Sequence, residues 1–173
     1  SNTIEVTGVY EDITIVKSDS ADCDVIEGTE GCTPGFWKNH PDCWRCYDEA
    51  TLVSDVFTVL SDSNYSYADY SDGKCDFDAN TLKQSIRYKG GTGVFGAARN
   101  LLRHASAAIQ NACSQDVGYP LTVDGVIDMV NDALASEKVG TINGAKNLLA
   151  MFNEYGCPIN AHCELNGNDE PEP

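Results

Sequence analysis

The sequence predicts a mainly α-helical, disulfide-tied bundle of four to five helices that carries an N-terminal β-strand or hairpin arm. Three observations predict it. Eight cysteines are spread over 173 residues, apolar residues recur every three or four positions from residue 50 onward, and the first 20 residues instead alternate with a period of two. We therefore expect a strand arm at 1–20, a helical domain at 21–165 and an acidic, proline-containing tail at 166–173.

The N-terminal arm has the pattern of a strand or hairpin. Ile4 and Val6, and later Ile13 and Ile15, alternate with polar residues. A two-stranded hairpin is only marginally stable alone in water, and its open edges can accept a strand of another chain. Unless a helix of the same chain covers them, we expect these four residues to mark an assembly strand.

The first half of the helical domain has weaker sequence signals for helices than the second half. Residues 50–60 place apolar side chains on one helical stripe, and residues 61–80 are polar, tyrosine-rich and typical of a long surface loop. Residues 80–91 predict a short helix that paired glycines stop. We expect this half of the domain to be less regular than the half that follows.

Three stronger helices complete the domain. Residues 92–113 repeat alanine and larger apolar residues at helical spacing, which indicates close helix–helix packing. Thr122 is the predicted N-cap of the next helix. Thr141 is the predicted N-cap of the last helix, and Gly156 is predicted to close it.

The net charge argues against several classes of partner. The chain has 11 Lys and Arg against 27 Asp and Glu, which gives a formal net charge of −16. Such a surface repels phosphate backbones and anionic lipids, so we expect no nucleic acid partner. No stretch approaches the roughly twenty apolar residues that cross a bilayer, so we expect no membrane insertion.

The cysteines indicate an oxidising compartment. An even number of cysteines in an exported protein is typical of a disulfide framework, although eight allow about 105 pairings. No charged-then-apolar leader opens the chain, so we expect any signal peptide to have been removed. The predicted location is secreted, extracellular or at the cell surface. The disulfide candidates are Cys23, Cys32, Cys43, Cys46, Cys75, Cys113, Cys157 and Cys163.

Residues 31–46, GCTPGFWKNHPDCWRC, are the densest segment. His40, Cys43 and Cys46 have an H-x2-C-x2-C spacing, and residues 162–163 can add a zinc ligand, although structural zinc sites usually show two paired spacings. The CxxC also matches a redox motif, but its surroundings are not βαβ. We favour a structural loop in which disulfides tie the two tryptophans to the helices.

Four segments of the helical domain carry a family resemblance. They are, in chain order, CTPGFWKNHP, LLRHASAAIQNA, YPLTVDGVIDMVNDAL and AKNLLAMFNEYGCP. Between Cys32 and Pro158 they resemble a module of exported bacterial and archaeal surface proteins that opens with CTPG-(Phe/Tyr)-WKNH and closes with Gly-Cys-Pro. The resemblance implies an extracellular, self-contained module with no assigned catalytic activity, and it implies a pair between Cys32 and Cys157. The other cysteines, the arm and the tyrosine-rich loop go beyond this pattern.

The tyrosine-rich loop contains two further candidate sites. Asp72, Asp76 and Asp78 offer oxygen ligands for calcium, although the closing glutamate of an EF-hand is missing. Asn64 opens an N-x-Ser glycosylation sequon. The loop tyrosines can stack on a sugar or pack at an interface, so a glycan is a candidate partner. No cofactor is required by these patterns, and calcium is the candidate.

No catalytic residue is assigned and we expect no enzyme, because the chain lacks GxSxG, HExxH and phosphate-loop motifs. We expect His40 and His104 to make structural hydrogen bonds; a hydrolase that uses either one is the third hypothesis. The first is a secreted structural subunit that self-assembles as a filament or surface layer, a homo-oligomer or polymer built by N-terminal strand pairing with a neighbouring subunit. The alternative is a monomeric calcium- or glycan-binding module of a cell-surface protein.

Overall fold

The protein is described by a computed structural model that covers residues 2–10, 13–21 and 28–166. Within them it is mainly helical, and three disulfides tie the helices together, which confirms the predicted fold class. The elements are β1 (Asn2–Tyr10), β2 (Ile13–Ala21), α1 (Pro34–Asn39), α2 (Val53–Val56), α3 (Leu82–Ser85), α4 (Gly93–Cys113), α5 (Val123–Ala135) and α6 (Val139–Asn153), with 3-10 helices at Pro41–Cys43 and Thr58–Leu60.

The central helix of the bundle is α4. Both α5 and α6 pack against it, and they also contact each other. Its many alanines allow this arrangement, because a methyl side chain lets neighbouring backbones approach closely. Five of them are buried: Ala97, Ala98, Ala105, Ala107 and Ala108. The close helix packing predicted from the alanine content is therefore confirmed.

Of the two predicted helix N-caps, Thr122 and Thr141, the structure contains one. The Thr122 hydroxyl accepts a hydrogen bond from the Gly125 amide at 3.1 Å, so the predicted cap of α5 is confirmed. The predicted cap at Thr141 is wrong, because α6 begins at Val139. Glu137 adopts a φ of +49°, which turns the chain sharply after α5, and the next helix starts three residues earlier than predicted.

The segment before α3 is less regular and more buried than its sequence predicts. Residues 50–60 form the single turn of α2 and a 3-10 turn instead of one helix, because Phe57 leaves helical geometry with φ −107° and ψ +81°. The tyrosine-rich loop is also not wholly at the surface. Tyr67 and Phe77 are fully buried, and Tyr70 stacks on Phe95 with ring centroids 3.9 Å apart.

Two glycines join the two ends of the helical domain. The Gly31 amide donates to the Gly156 carbonyl at 2.9 Å in an isolated β-bridge. A Cβ at Gly31 would lie 2.1 Å from the carbonyl oxygen of Phe152, so this approach requires glycine. Gly156 has a φ of +124°, but α6 already ends at Asn153 with Glu154 as its C-cap, so this glycine pairs with Gly31 and does not close the helix as predicted.

Three disulfides link distant parts of the chain. Cys32 pairs with Cys157, as the family resemblance implied, across 125 residues. The other two bridges are Cys43–Cys163 and Cys46–Cys113, across 120 and 67 residues. Cys75 is buried and has no disulfide partner in the described part of the chain. Cys23 and the tail beyond residue 166 lie outside the described residues.

Candidate functional site

The tryptophan-rich loop, residues 31–46, is anchored in the interior as the structural interpretation predicts. The Thr33 hydroxyl accepts from the Phe36 amide at 3.2 Å and caps α1, where Pro34 supplies the first residue. Trp37 is fully buried, and the indole N–H of Trp44 donates to its carbonyl oxygen at 3.0 Å. Both aromatic residues therefore contribute buried area and fixed hydrogen bonds.

A buried asparagine on α4 holds this loop in place. The Asn111 side-chain oxygen accepts from the Cys32 amide at 2.7 Å and from the Trp37 indole at 2.9 Å. Its nitrogen donates to the Cys32 carbonyl and to the Asn153 side-chain oxygen, both at 2.9 Å. Every hydrogen-bond donor and acceptor of the Asn111 side chain is therefore paired inside the protein. Sequence reasoning missed it, although a polar residue within an alanine-rich stripe is a usable signal.

Neither a zinc site nor a CxxC redox site fits the geometry of the tryptophan-rich loop. Cys43 and Cys46 bond to different, distant partners, so they do not form the internal disulfide of a CxxC redox motif. The same bonds occupy the sulfurs that a zinc ion would need as thiolates. Among residues 28–166 no group of three His, Cys, Asp or Glu side chains is placed to hold a metal ion.

The two candidate catalytic histidines, His40 and His104, have different surroundings. The ring of His40 packs on that of Phe36, with centroids 4.7 Å apart. The expected hydrogen bond of His104 is absent, since its buried Nδ1 has no partner among the described residues. Burial lowers the pKa of His104 to about 4, and the charges of Arg103 and Lys146 act in the same direction. In the described part of the chain neither ring pairs with a carboxylate.

The candidate calcium ligands serve the loop itself. The Asp72 carboxylate accepts from the amides of Lys74 and Cys75 at 2.9 and 3.1 Å, and it pairs with Arg99. These hydrogen bonds, led by the two amides, hold the pKa of Asp72 below its ordinary value.

Three predicted residues of this loop remain, and of these Asp78 is exposed. The Asp76 carboxylate accepts from the amides of Asp78 and Ala79 at 3.2 and 3.0 Å, so it closes its own turn and does not join a shared site. The sequon residue Asn64 is exposed, and its side-chain nitrogen donates to Asp62 at 2.7 Å. Its position is compatible with the predicted glycosylation, which stays a prediction.

The register of the hairpin sets the face on which each of the four predicted assembly residues lies. β1 and β2 are antiparallel, and the register sets Ile4 opposite Asp19 and Tyr10 opposite Ile13. Directly opposed residues share a face of a sheet, and alternate residues along a strand share it too. The register therefore places Ile4, Val6, Ile13 and Ile15 on one face. In the part of the chain that the structure describes, no third strand pairs with either edge.

Comparison with known proteins adds no relative. No family model, no curated protein and no solved structure matches the chain. The described helices include none that is both long and apolar enough to span a bilayer. The class of protein that the fold defines is a disulfide-tied helical domain with a two-stranded N-terminal extension.

Proposed function

We propose that this protein is a secreted structural subunit that assembles with copies of itself through its N-terminal hairpin, as a filament or surface layer. One observation carries the proposal: β1 and β2 form a sheet of two strands, so that within the described residues each strand keeps one edge without a partner. Each strand is nine residues long, which is longer than the usual strand of a globular protein.

Open strand edges favour association. An edge presents a row of N–H and C=O groups that a strand of another chain can pair with. The face that contains Ile4, Val6, Ile13 and Ile15 adds apolar area that is stabilised when a neighbour covers it. Because a hairpin has two edges, each subunit can accept one neighbour on either side, and such head-to-tail contacts extend as fibres whenever they do not close into a ring.

The disulfides support the proposed location and the independence of the helical domain. Bridges that close loops of 125 and 120 residues reduce the entropy of the unfolded chain and persist in oxidising compartments. The resemblance of residues 32–158 to a module of exported surface proteins supports the same location. A helical domain held by its own covalent bonds stays folded while the arm exchanges partners.

Removing the arm tests the proposal. We would compare the full chain with a variant that lacks residues 1–21 and with a control that lacks residues 167–173, using light scattering and electron microscopy. The full chain and the control are expected to form polymers, whereas the arm deletion stays monomeric with an unchanged melting temperature of the helical domain. A monomeric full chain, or polymers of the arm deletion, would refute the proposal.

A matched pair of point variants separates the role of the apolar face from that of charge. Ile15→Asp, opposite Gly8, puts a charge on the face that holds the four isoleucine and valine residues, whereas Thr14→Asp, opposite Val9, puts the same charge on the opposite face. We expect Ile15→Asp to raise the concentration needed for assembly by about tenfold, because a charge there must be desolvated. Thr14→Asp should have a smaller effect. Equal effects of both variants would show that the face does not contribute.

A further inference from the structure

More than half of the cations of this acidic chain gather at one place. A cavity of about 750 Å³ is lined by Lys74, Arg87, Lys89 and Arg99. A second cavity of about 460 Å³ shares Arg87, Tyr88 and Lys89 with the first and adds further cations from α1 and α4. We call the two adjoining cavities the basic groove. Its six cations, of 11 in the chain, are Lys38, Lys74, Arg87, Lys89, Arg99 and Arg103.

Carboxylates are absent from the groove walls. The chain has 27 of them, yet none lines either cavity in the described part of the chain. Only Arg99 pairs with a carboxylate, that of Asp72, and the other five groove cations form no ion pair within residues 28–166. Like charges this close repel one another, and a bound anion would relieve that repulsion.

The groove also presents donors in excess of acceptors. The Asn80 side-chain oxygen already accepts from the Tyr88 hydroxyl at 2.8 Å, and the Gln84 side-chain oxygen accepts from the Thr81 amide at 2.8 Å. Their oxygens are thus engaged by the protein itself. A ligand rich in oxygen atoms would accept hydrogen bonds from the ammonium, guanidinium and amide donors of the groove residues.

We propose that the basic groove binds a short glycan that carries a carboxylate or sulfate group. Arginine and lysine bind the anionic group, and the amide donor of Gln84 bonds to sugar hydroxyls. The larger cavity falls within the size range of small-molecule sites, and the adjoining one can take a neighbouring sugar ring. This site is independent of the hairpin.

Two other anionic ligands fit the groove less well. A long polyanion such as nucleic acid would extend from the groove onto a surface that belongs to a chain of net charge −16, and it would be repelled there. An acidic peptide brings backbone N–H groups that need acceptors, whereas the oxygens of Asn80 and Gln84 are already engaged. A short acidic sugar stays within the groove, and each of its hydroxyls can accept a hydrogen bond from a groove donor, which a backbone N–H cannot do.

Calorimetric titration of the full chain tests the proposal. The probes are trigalacturonate as a carboxylated sugar, a chondroitin sulfate tetrasaccharide as a sulfated one, neutral maltotriose, and decaglutamate as an acidic peptide. We expect at least one charged sugar to bind, with an affinity that falls as salt rises, and no binding of maltotriose. Failure of both charged sugars, equal binding of maltotriose, or binding of decaglutamate as tight as that of the sugars would overturn the proposal.

Matched charge variants locate the site. Arg87→Ala with Lys89→Ala removes two cations that both cavities share, and Lys138→Ala with Lys146→Ala removes two cations outside the groove. We expect the first pair to weaken binding by about tenfold or more and the second by less than about twofold, since general screening acts equally on both. Circular dichroism melting confirms that each variant is folded. Equal weakening by both pairs would refute a site at the groove.

Discussion

The side chains of Asn111 and Asn153 are hydrogen-bonded to each other at 2.9 Å in the fully buried interface between α4 and α6. Asn153 also accepts from the Tyr119 hydroxyl at 2.9 Å and donates to the His104 carbonyl at 3.0 Å. One pair of amides therefore joins the tryptophan-rich loop, two helices and the segment before α5. Because buried amides are costly unless every donor and acceptor is paired, this network specifies one arrangement of those elements.

Replacing Asn111 should be strongly destabilising. Asn111→Ala leaves the Trp37 indole N–H and both polar groups of the Cys32 backbone without their partner, so we expect the free energy of unfolding to fall by about 3 kcal/mol or more. Denaturant unfolding of the oxidised protein measures it. The control Asn147→Ala changes an exposed asparagine on α6 and should cost less than about 0.5 kcal/mol. A loss as small as that of the control would contradict the role of the network.

Removing the hydroxyl group of a tyrosine should raise the stability of the protein at one position and lower it at another. The Tyr67 hydroxyl is buried without a hydrogen-bond partner among the described residues, so Tyr67→Phe should stabilise the protein by about 0.5 to 1 kcal/mol. Tyr119→Phe removes the bond to Asn153 and should destabilise it by about 1 kcal/mol. Thermal melts of the two variants compare the same chemical change. If Tyr67→Phe lowers the melting temperature, its hydroxyl has a partner.

Acid should destabilise the protein in part through His104. The pKa of this residue is about 4 in the folded protein and 6.5 in an unfolded chain. Between pH 6.5 and 4 the unfolded chain therefore binds a proton that the folded protein excludes, and stability falls as the pH falls through this window.

A variant without the titrating ring isolates this contribution. Between pH 6.5 and 4 the free energy of unfolding should fall less in His104→Leu than in the wild type. The difference should be about 1 to 2 kcal/mol, after allowance for solvent screening of a partly exposed ring. Urea unfolding of both proteins at pH 7, 5.5 and 4 measures the difference. Parallel pH profiles would show that His104 is protonated at its ordinary pKa in the folded state.

The disulfide connectivity predicts the products of digestion without reduction. Mass spectrometry should find peptides linked as Cys32–Cys157, Cys43–Cys163 and Cys46–Cys113. A linked Cys43–Cys46 pair would contradict the structure and revive the redox interpretation of the loop.

Loss of the Cys32–Cys157 disulfide should lower the free energy of unfolding. Because the Cys43–Cys163 bridge stays closed, replacing both Cys32 and Cys157 by alanine opens a loop of only about 17 residues, for which the chain-entropy model gives a loss of about 3 kcal/mol. Calorimetric melting measures the change. Removal of the 67-residue bridge between Cys46 and Cys113 opens a longer loop and should cost about 1 kcal/mol more, and a smaller loss there would show that strain or packing outweighs loop entropy.

Some elements were predictable because their signals are local. Each of these signals depends on residues that are close together in the sequence. They are the alanine-rich stripe of α4, the cap at Thr122 and the alternation of β1. The break at Phe57 was not predictable, since every apolar residue of 53–60 is buried and no single helical stripe satisfies that burial. Packing against the rest of the domain overrode the local pattern there.

The sequence by itself determined the fold class, the two-strand pattern of the arm and the excess of negative charge, because periodicity and composition are properties of the chain alone. Only the tertiary structure decided which cysteines pair, which asparagines fill the interior and where the cations gather. Cys32 bonds to Cys157, and Lys38 and Arg103 line one cavity, across sequence separations at which no local pattern acts. Such contacts exist only after the helices have packed, since their burial brings together residues that carry no common signal in the chain.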